Sequence, residues 1–429
     1  MTVFIGVITT AIFLGSLVLI FAEKLHRSIT AIAAAASMVI LGRIFGFYSE
    51  QAALKAVDFN TLGLLLGMMT LVAMLEPTGF FEYLAVLAAR SSKGKPMRLF
   101  VLLGIITTVL SMFLPNVTTI VLIAPITILI SEILGVNAIP YLVAEALLSN
   151  TGGVATLIGD PPNLLIGSAA GFSFNDFLIH SLPIVFISWA GALLFLQYLF
   201  RKELSRRPKN IEAVMQLNPT ESLNDPRTAR RVLIVLGGAI LFFFLHHALQ
   251  ISPALVAVSA AAIALVLVRP DLEAMLRKIE WSVLIFFGAL FIMIGGIEAA
   301  GVLEAATTLI ERAAGIPPVL FGIAVIWIVA GLSAVVDNVP ITIALIPVIQ
   351  RLGASGMNIT PLWWALAFGA GFGGNGTIVG STVNIVVAEL SERTRTPITS
   401  EIWNRRGLPV MLVTCAIASI MYAILYQSF

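Results

Sequence analysis

The chain has 429 residues, 59% of them hydrophobic and 11% charged, with a mean hydropathy of +1.01 and a formal net charge of +2. A soluble fold would need far more polar surface than this, so the composition describes a multi-pass membrane protein. One cysteine, Cys415, excludes an intrachain disulfide framework and a three-thiolate metal site, and no G-x-x-x-x-G-K-[ST] phosphate loop marks the chain as an ATPase.

In chain order, the apolar start Met1–Ala22 lacks a basic leader and a small-residue cleavage site, so it reads as a retained first helix. Runs long enough for a bilayer of roughly 30 Å follow at Ser28–Phe45, Phe59–Leu75 and Leu182–Phe200. Between them, Leu99–Leu114 and Val117–Ile130 are joined by Pro115-Asn116, and at about 1.5 Å per residue these arms reach only about 24 and 21 Å. They read as a re-entrant hairpin within 97–132. Tyr141–Ala170 is long enough to cross but is broken by Gly and Pro. A polar stretch, 201–231, reads as a cytoplasmic linker, either a tether or a dock. Val232–Leu249, Pro253–Val268 and Trp281–Ile297 then cross, a second hairpin (319–350) turns at Asp337-Asn338, Leu362–Leu390 is broken again, and Leu408–Leu425 ends the series.

The two halves repeat. Asp58, Glu76, Gly79 and Glu82 meet Glu280, Glu298, Gly301 and Glu304 at a shift of 222, as Pro96, Ser111, Asn116, Val117 and Pro125 meet Pro318, Ser333, Asn338, Val339 and Pro347. At a shift of 221, Pro140, Gly152, Gly153, Thr156, Gly159 and Asn163 meet Pro361, Gly373, Gly374, Thr377, Gly380 and Asn384. Of 25 Lys and Arg, 21 flank alternate loops, and only Arg43, Lys55, Arg312 and Arg351 lie on the other side. By the positive-inside rule this places both termini outside. The fold expected is all-α and polytopic, an inverted repeat of residues 1–200 and 232–429. Each half has five crossings, one of them a broken helix (141–170 or 362–390), plus one hairpin. A plain bundle of 12 to 14 spans is the alternative.

Broken helices at mid-membrane are where secondary transporters bind solute, because unwound backbone is tolerated there only around a cavity. The densest polar stretch is Ser149-Asn150-Thr151-Gly152-Gly153, closed by Gly159-Asp160-Pro161-Pro162-Asn163. Its partner runs from Gly373 to Asn384. Candidate solute contacts are Asn116, Thr118, Ser149, Asn150, Thr151, Asn163, Asn338, Asn375, Thr377 and Asn384. Asp337, Asp160 and Glu145 are candidate proton- or cation-coupling groups, since a carboxyl in the membrane is costly. Structural readings stand beside these. Asp160, Ser381, Asn116 and Asn338 all suit helix caps. Asp337 is the exception, because its mate Pro115 cannot cap. Glu76 and Glu298 recur in both halves, which favours a structural role. His246 and His247 read as interfacial, Trp363 and Trp364 as an aromatic belt, and Cys415 as a packing residue.

The run from Ser149 to Asn163, the hairpin tips and the repeat resemble the ion transporter superfamily, and within it the arsenite permeases, sodium/proton antiporters and melanosomal P-protein-like transporters. The resemblance covers nearly the whole chain. It implies solute held between hairpin tips and broken helices, an inner-membrane location, a homodimer, and in some members a cytoplasmic arsenite-stimulated ATPase partner. Many arsenite permeases carry an acid in both tips; here the first tip has Pro115. The broken segments hold no Lys or Arg, which suits a cation, a proton or a neutral hydroxylic solute such as As(OH)₃. The function expected is therefore transport rather than enzymatic catalysis: efflux of arsenite or antimonite in exchange for protons, with no cofactor beyond the coupling ion and no nucleic-acid partner. Sodium/proton antiport is the main alternative, and dicarboxylate transport is third.

Overall fold

The structure, a computed structural model, describes residues 2–21, 25–302, 316–394 and 396–429, and these residues form helices and connections with no strand. Lys24, Glu304, Arg312 and Arg395, used above in the repeat and the charge count, lie outside the described residues. The first half comprises α1 (Thr2–Phe21), α2 (Arg27–Phe45), α3 (Glu50–Ala56), α4 (Phe59–Leu75), α5 (Phe80–Ser91), α6 (Pro96–Ser111), α7 (Asn116–Leu134), α8 (Ile139–Gly153), α9 (Pro161–Ala170) and α10 (Leu182–Leu199). The second comprises α11 (Pro226–Leu245), α12 (Pro253–Val268), α13 (Trp281–Ala299), α14 (Pro318–Val335), α15 (Asn338–Ala354), α16 (Thr360–Gly373), α17 (Thr382–Ser391) and α18 (Ser400–Leu425).

Among the described residues, eight helices are long and apolar enough to cross a membrane. They include α7 and α14, one arm from each hairpin. The sequence reading ended the second arm at Ile130, but α7 continues to Leu134, 19 residues or about 28 Å. Ser131 and Leu134 are buried, so the last turn still faces protein, and the helix stops only where Gly135 turns left-handed at φ 67°. The second copy is likewise extended, from Ile349 to Ala354. Pro125 in α7 and Pro347 in α15 stand at the same position in each arm, and each lacks the N–H that would continue the hydrogen-bond ladder.

Helices α8 and α16 form the centre. Residues 139–153 and 361–373 are buried throughout, while α1, α11 and α12 turn Phe4, Leu14, Ile234, Leu241 and Ile263 outward. Trp363 and Trp364 are core residues, not an aromatic belt: Trp364 stacks on Phe172 at 4.6 Å between ring centres. They open α16, which lies inside the bundle, so nearness to a helix start does not place them at lipid headgroups. Contacts follow the repeat. In each half the first hairpin arm packs on the helix leading to the break, α6 on α8 and α14 on α16. Between halves, α4 packs on α12 as its counterpart α13 packs on α2, while α7 meets α17 and α15 meets α9.

The two breaks are built alike. Asn163 Nδ2 donates to the carbonyls of Gly153 and Thr156 at 3.1 and 2.7 Å, and Asn384 Nδ2 to those of Gly374 and Thr377 at 2.7 and 2.8 Å. The Thr156 and Thr377 hydroxyls donate to the Met112 and Ala334 carbonyls at the hairpin ends. Buried backbone groups freed by unwinding are thus satisfied by side chains of the same repeat. Glycine is needed where the chain folds back. A Cβ on Gly159 would sit 2.5 Å from the Gly153 oxygen and 2.6 Å from that of Ser111; on Gly380 it would lie 2.8 and 2.9 Å from the Gly374 and Ser333 oxygens. Gly159→Ala and Gly380→Ala are each expected to cost about 1–3 kcal/mol. Thermal unfolding of the detergent-solubilised protein measures this, and unchanged midpoints would refute the close approach.

Candidate functional site

Four helices of the hairpin tips and breaks begin at one cavity of about 50 Å³: α7 at Asn116, α9 at Pro161, α15 at Asn338 and α17 at Thr382. Two belong to hairpin tips and two to the breaks. Each turns the positive end of its dipole toward the cavity, although α9 opens on Pro161-Pro162, which carry no N–H, so the cavity wall is electropositive without a fixed cation from these elements. Against this field stand three carboxylates that also line the cavity, Asp160, Glu280 and Asp337.

Asp160 is the central one. It occupies the N-cap position of α9 in extended conformation, yet its side chain makes no capping bond. Instead Oδ1 accepts from Asn116 Nδ2 at 3.4 Å and Oδ2 from Asn338 Nδ2 at 2.9 Å. One carboxylate therefore joins both hairpin tips. It is 2% exposed and forms no ion pair among the described residues. Ser381, in the matching position before α17, also leaves its helix uncapped and donates to Asn150 Oδ1 at 3.2 Å. Asn116 and Asn338 are the first residues of their helices rather than the caps.

Asp337 differs from expectation. It is the N-cap of α15 and accepts from the Val339 amide at 3.3 Å, even though its repeat mate is Pro115. It also accepts from Thr382 Oγ1 at 3.0 Å and faces Arg27 Nη1 at 3.7 Å.

Beneath the cavity lies an amide network. Asn150 Nδ2 donates to Asn375 Oδ1 at 3.1 Å and Asn384 Oδ1 at 2.9 Å, while its Oδ1 accepts from Asn116 at 3.4 Å. Asn375 Nδ2 donates to Thr151 Oγ1 at 3.0 Å. The structure thus divides the sequence candidates. Asn116, Asp160, Asp337 and Asn338 line the cavity; Asn150, Thr151 and Asn375 hold the two breaks together; Asn163, Thr377 and Asn384 close the breaks internally. Ser149 is buried beside Asn150, with its hydroxyl unpartnered among the described residues. Glu145, fully buried, takes a 2.6 Å bond from Thr127 on α7 and stands apart from the cavity.

Two cavity residues escaped the sequence reading. Arg27 and Glu280 come from the starts of α2 and α13. Glu280 carried one usable signal, its recurrence with Asp58. Arg27 carried none, because its contact with Thr382 spans 355 residues.

A family model described as "Citrate transporter" matches residues 17–369. The chain is 37% identical over 424 residues to a 46 kDa membrane protein of Mycobacterium leprae, covering 97% of each. It is 32% identical over 441 residues to an uncharacterized transporter of Synechocystis, covering 96% of each. It is also 32% identical over 496 residues to the human P protein, covering 96% of this chain and 59% of that one. Among solved structures, the crystal structure of the YdaH transporter of Alcanivorax borkumensis superposes with a TM-score of 0.59 at 16% identity, over 94% of this chain and 98% of that one, a likeness of fold.

Asn150→Ala would leave the side-chain amide oxygens of Asn375 and Asn384 buried and without this donor, at about 1–3 kcal/mol each. The expected result is a clearly lowered unfolding midpoint with weakened transport. A midpoint equal to wild type would show that the network does not hold the breaks together.

Proposed function

The chain belongs to the citrate transporter family of membrane transporters, and on that premise we propose that it extrudes arsenite or antimonite in exchange for protons by alternating access. The observation that carries the reading is Asp160, a buried carboxylate without a counter-charge, clasped by one amide from each hairpin tip. Ionised, it offers both oxygens to Asn116 and Asn338. Protonated, one oxygen becomes a donor and can no longer accept from an amide in the same way. A proton and the closed pair of tips therefore compete for the same group. Asp337 has Arg27 beside it, so Asp160 is the better carrier of the exchanged proton.

The cavity suits a small solute. Its roughly 50 Å³ is room for a few water-sized groups. As(OH)₃ would donate its hydroxyls to Asp160 and accept from Asn338, with the positive helix ends favouring its oxygens. Such binding is weak and reversible, as a carrier requires. In this reading the halves 1–200 and 232–429 form an inverted repeat joined by the cytoplasmic linker 201–231. On the same reading, the side where Arg27 and Glu280 begin their helices is the cytoplasmic one expected from the charge bias. Inner-membrane placement with both termini outside, homodimerisation and an ATPase docking on the linker belong to the same reading.

A second reading, exchange of a small carboxylate, is favoured by Arg27 and the four helix N-termini, and by the family's description. Everted membrane vesicles under an imposed proton gradient separate the readings, with arsenite, citrate and sodium offered in parallel. Arsenite accumulation that Asp160→Asn abolishes is expected. Citrate accumulation would transfer the function to the second reading, and sodium movement alone would make the protein an antiporter.

A further inference from the structure

Arg27 is poorly employed for a cavity arginine. Its guanidinium carries five N–H donors, yet among the described residues it gives one hydrogen bond, from Nη1 to Thr382 Oγ1 at 3.0 Å. The Phe286 ring lies 5.6 Å from its carbon and fixes its position. Asp337, at 3.7 Å, is beyond the 2.7–2.9 Å of a charge-assisted hydrogen bond. The group is thus held in place at the cavity wall with most of its donors uncommitted, although two-thirds of its side-chain surface is covered.

Glu280 makes the complementary contact. It occupies the N-cap position of α13 but makes no capping bond there. Its Oε1 accepts from Thr118 Oγ1 at 2.7 Å, on the first hairpin tip. Helices α2 and α13 pack on each other. One rigid pair of helices therefore reaches both tips, through Arg27 to Asp337 and Thr382, and through Glu280 to Thr118. The repeat mate of Glu280 does not do the same: Asp58 bonds Asn60 and Thr61 of its own helix. Among the described residues, the polar link exists on one side of the molecule only.

We propose that Arg27 is the residue that receives solute oxygen, and that Arg27 and Glu280 together latch the two hairpin tips to α2 and α13 until solute replaces Asp337 on the guanidinium. This rests on the cavity being the solute site. It adds a specificity to that site: the solute must bring an oxygen acceptor that competes with a carboxylate, which a bare cation cannot do.

The test uses the full chain in everted vesicles, with Cys415→Ala and Val283→Cys placing one thiol on the cavity wall. Labelling by a membrane-impermeant maleimide reads how open the cavity is, whatever the solute. Arg27→Gln and Glu280→Gln are expected to speed labelling several-fold, and the exchange of Arg27→Asp with Asp337→Arg to return it toward the starting rate, which a folding defect would not do. Equal rates in all variants overturn the latch. Protection by arsenite or by citrate reads Arg27 directly: Asp337→Asn should lower the half-protecting concentration and Arg27→Gln raise it. Protection unaffected by Arg27→Gln overturns its role as receptor. If neither solute protects the unaltered site, the substrate reading has failed, while the labelling rates still decide the latch.

Discussion

The Asp160 carboxylate holding Asn116 with one oxygen and Asn338 with the other is the constraint on which the centre of this molecule depends. Each asparagine opens the returning arm of a different hairpin, and Asp160 itself opens the second piece of a broken helix. Three chain segments from two halves therefore meet on two oxygens. A buried carboxyl without a counter-ion can carry charge only if its lone pairs are satisfied and the surrounding dipoles favour it. Here both conditions come from the same geometry, because the helices that bring the amides also bring their positive ends.

The rest of the interior follows from ending helices inside the protein. Every such end leaves backbone groups that an apolar surrounding cannot satisfy. The protein answers with side chains placed by the repeat: threonines that bond across to hairpin ends, asparagines that close each break on itself, and Asn150 and Asn375 that join the breaks. Much of what looks like a binding motif in the linear chain is this internal bonding. The cavity keeps only the groups left over once the breaks are closed.

That division explains what could be read from the sequence. Glycine, proline and asparagine clusters at matching shifts located both breaks and both tips, since unwinding has a strong compositional signature. Asn116, Asp160, Asp337 and Asn338 were found because they sit in those clusters. The roles inside the clusters were not legible. Asp160 sits at an N-cap position but makes no capping bond, because its oxygens go to Asn116 and Asn338, 44 and 178 residues away, while Asp337 caps its own helix through Val339 although its repeat mate is a proline. Arg27 was beyond reach, being placed by packing of α2 on α13 rather than by local pattern. Trp364 misled for the same reason: a tryptophan pair at a helix start suits a lipid interface, but α16 is enclosed by its neighbours. The returning arm of the first hairpin runs past Ile130 because Ser131 and Leu134 still face protein, which no local pattern announces.

The prolines at matching positions of α7 and α15 bear on how much of a hairpin has to move. Pro125 interrupts the ladder nine residues from Asn116, so α7 bends there at least cost. Below it, the helix end is pinned from outside, the Lys209 amide donating to the Leu134 carbonyl at 2.9 Å. A rod fixed at its base and jointed near its middle swings only its upper segment. A displacement of the first tip would then leave the junction with the linker where it is, since the part of α7 above the joint is about 13 Å of helix rather than the whole arm.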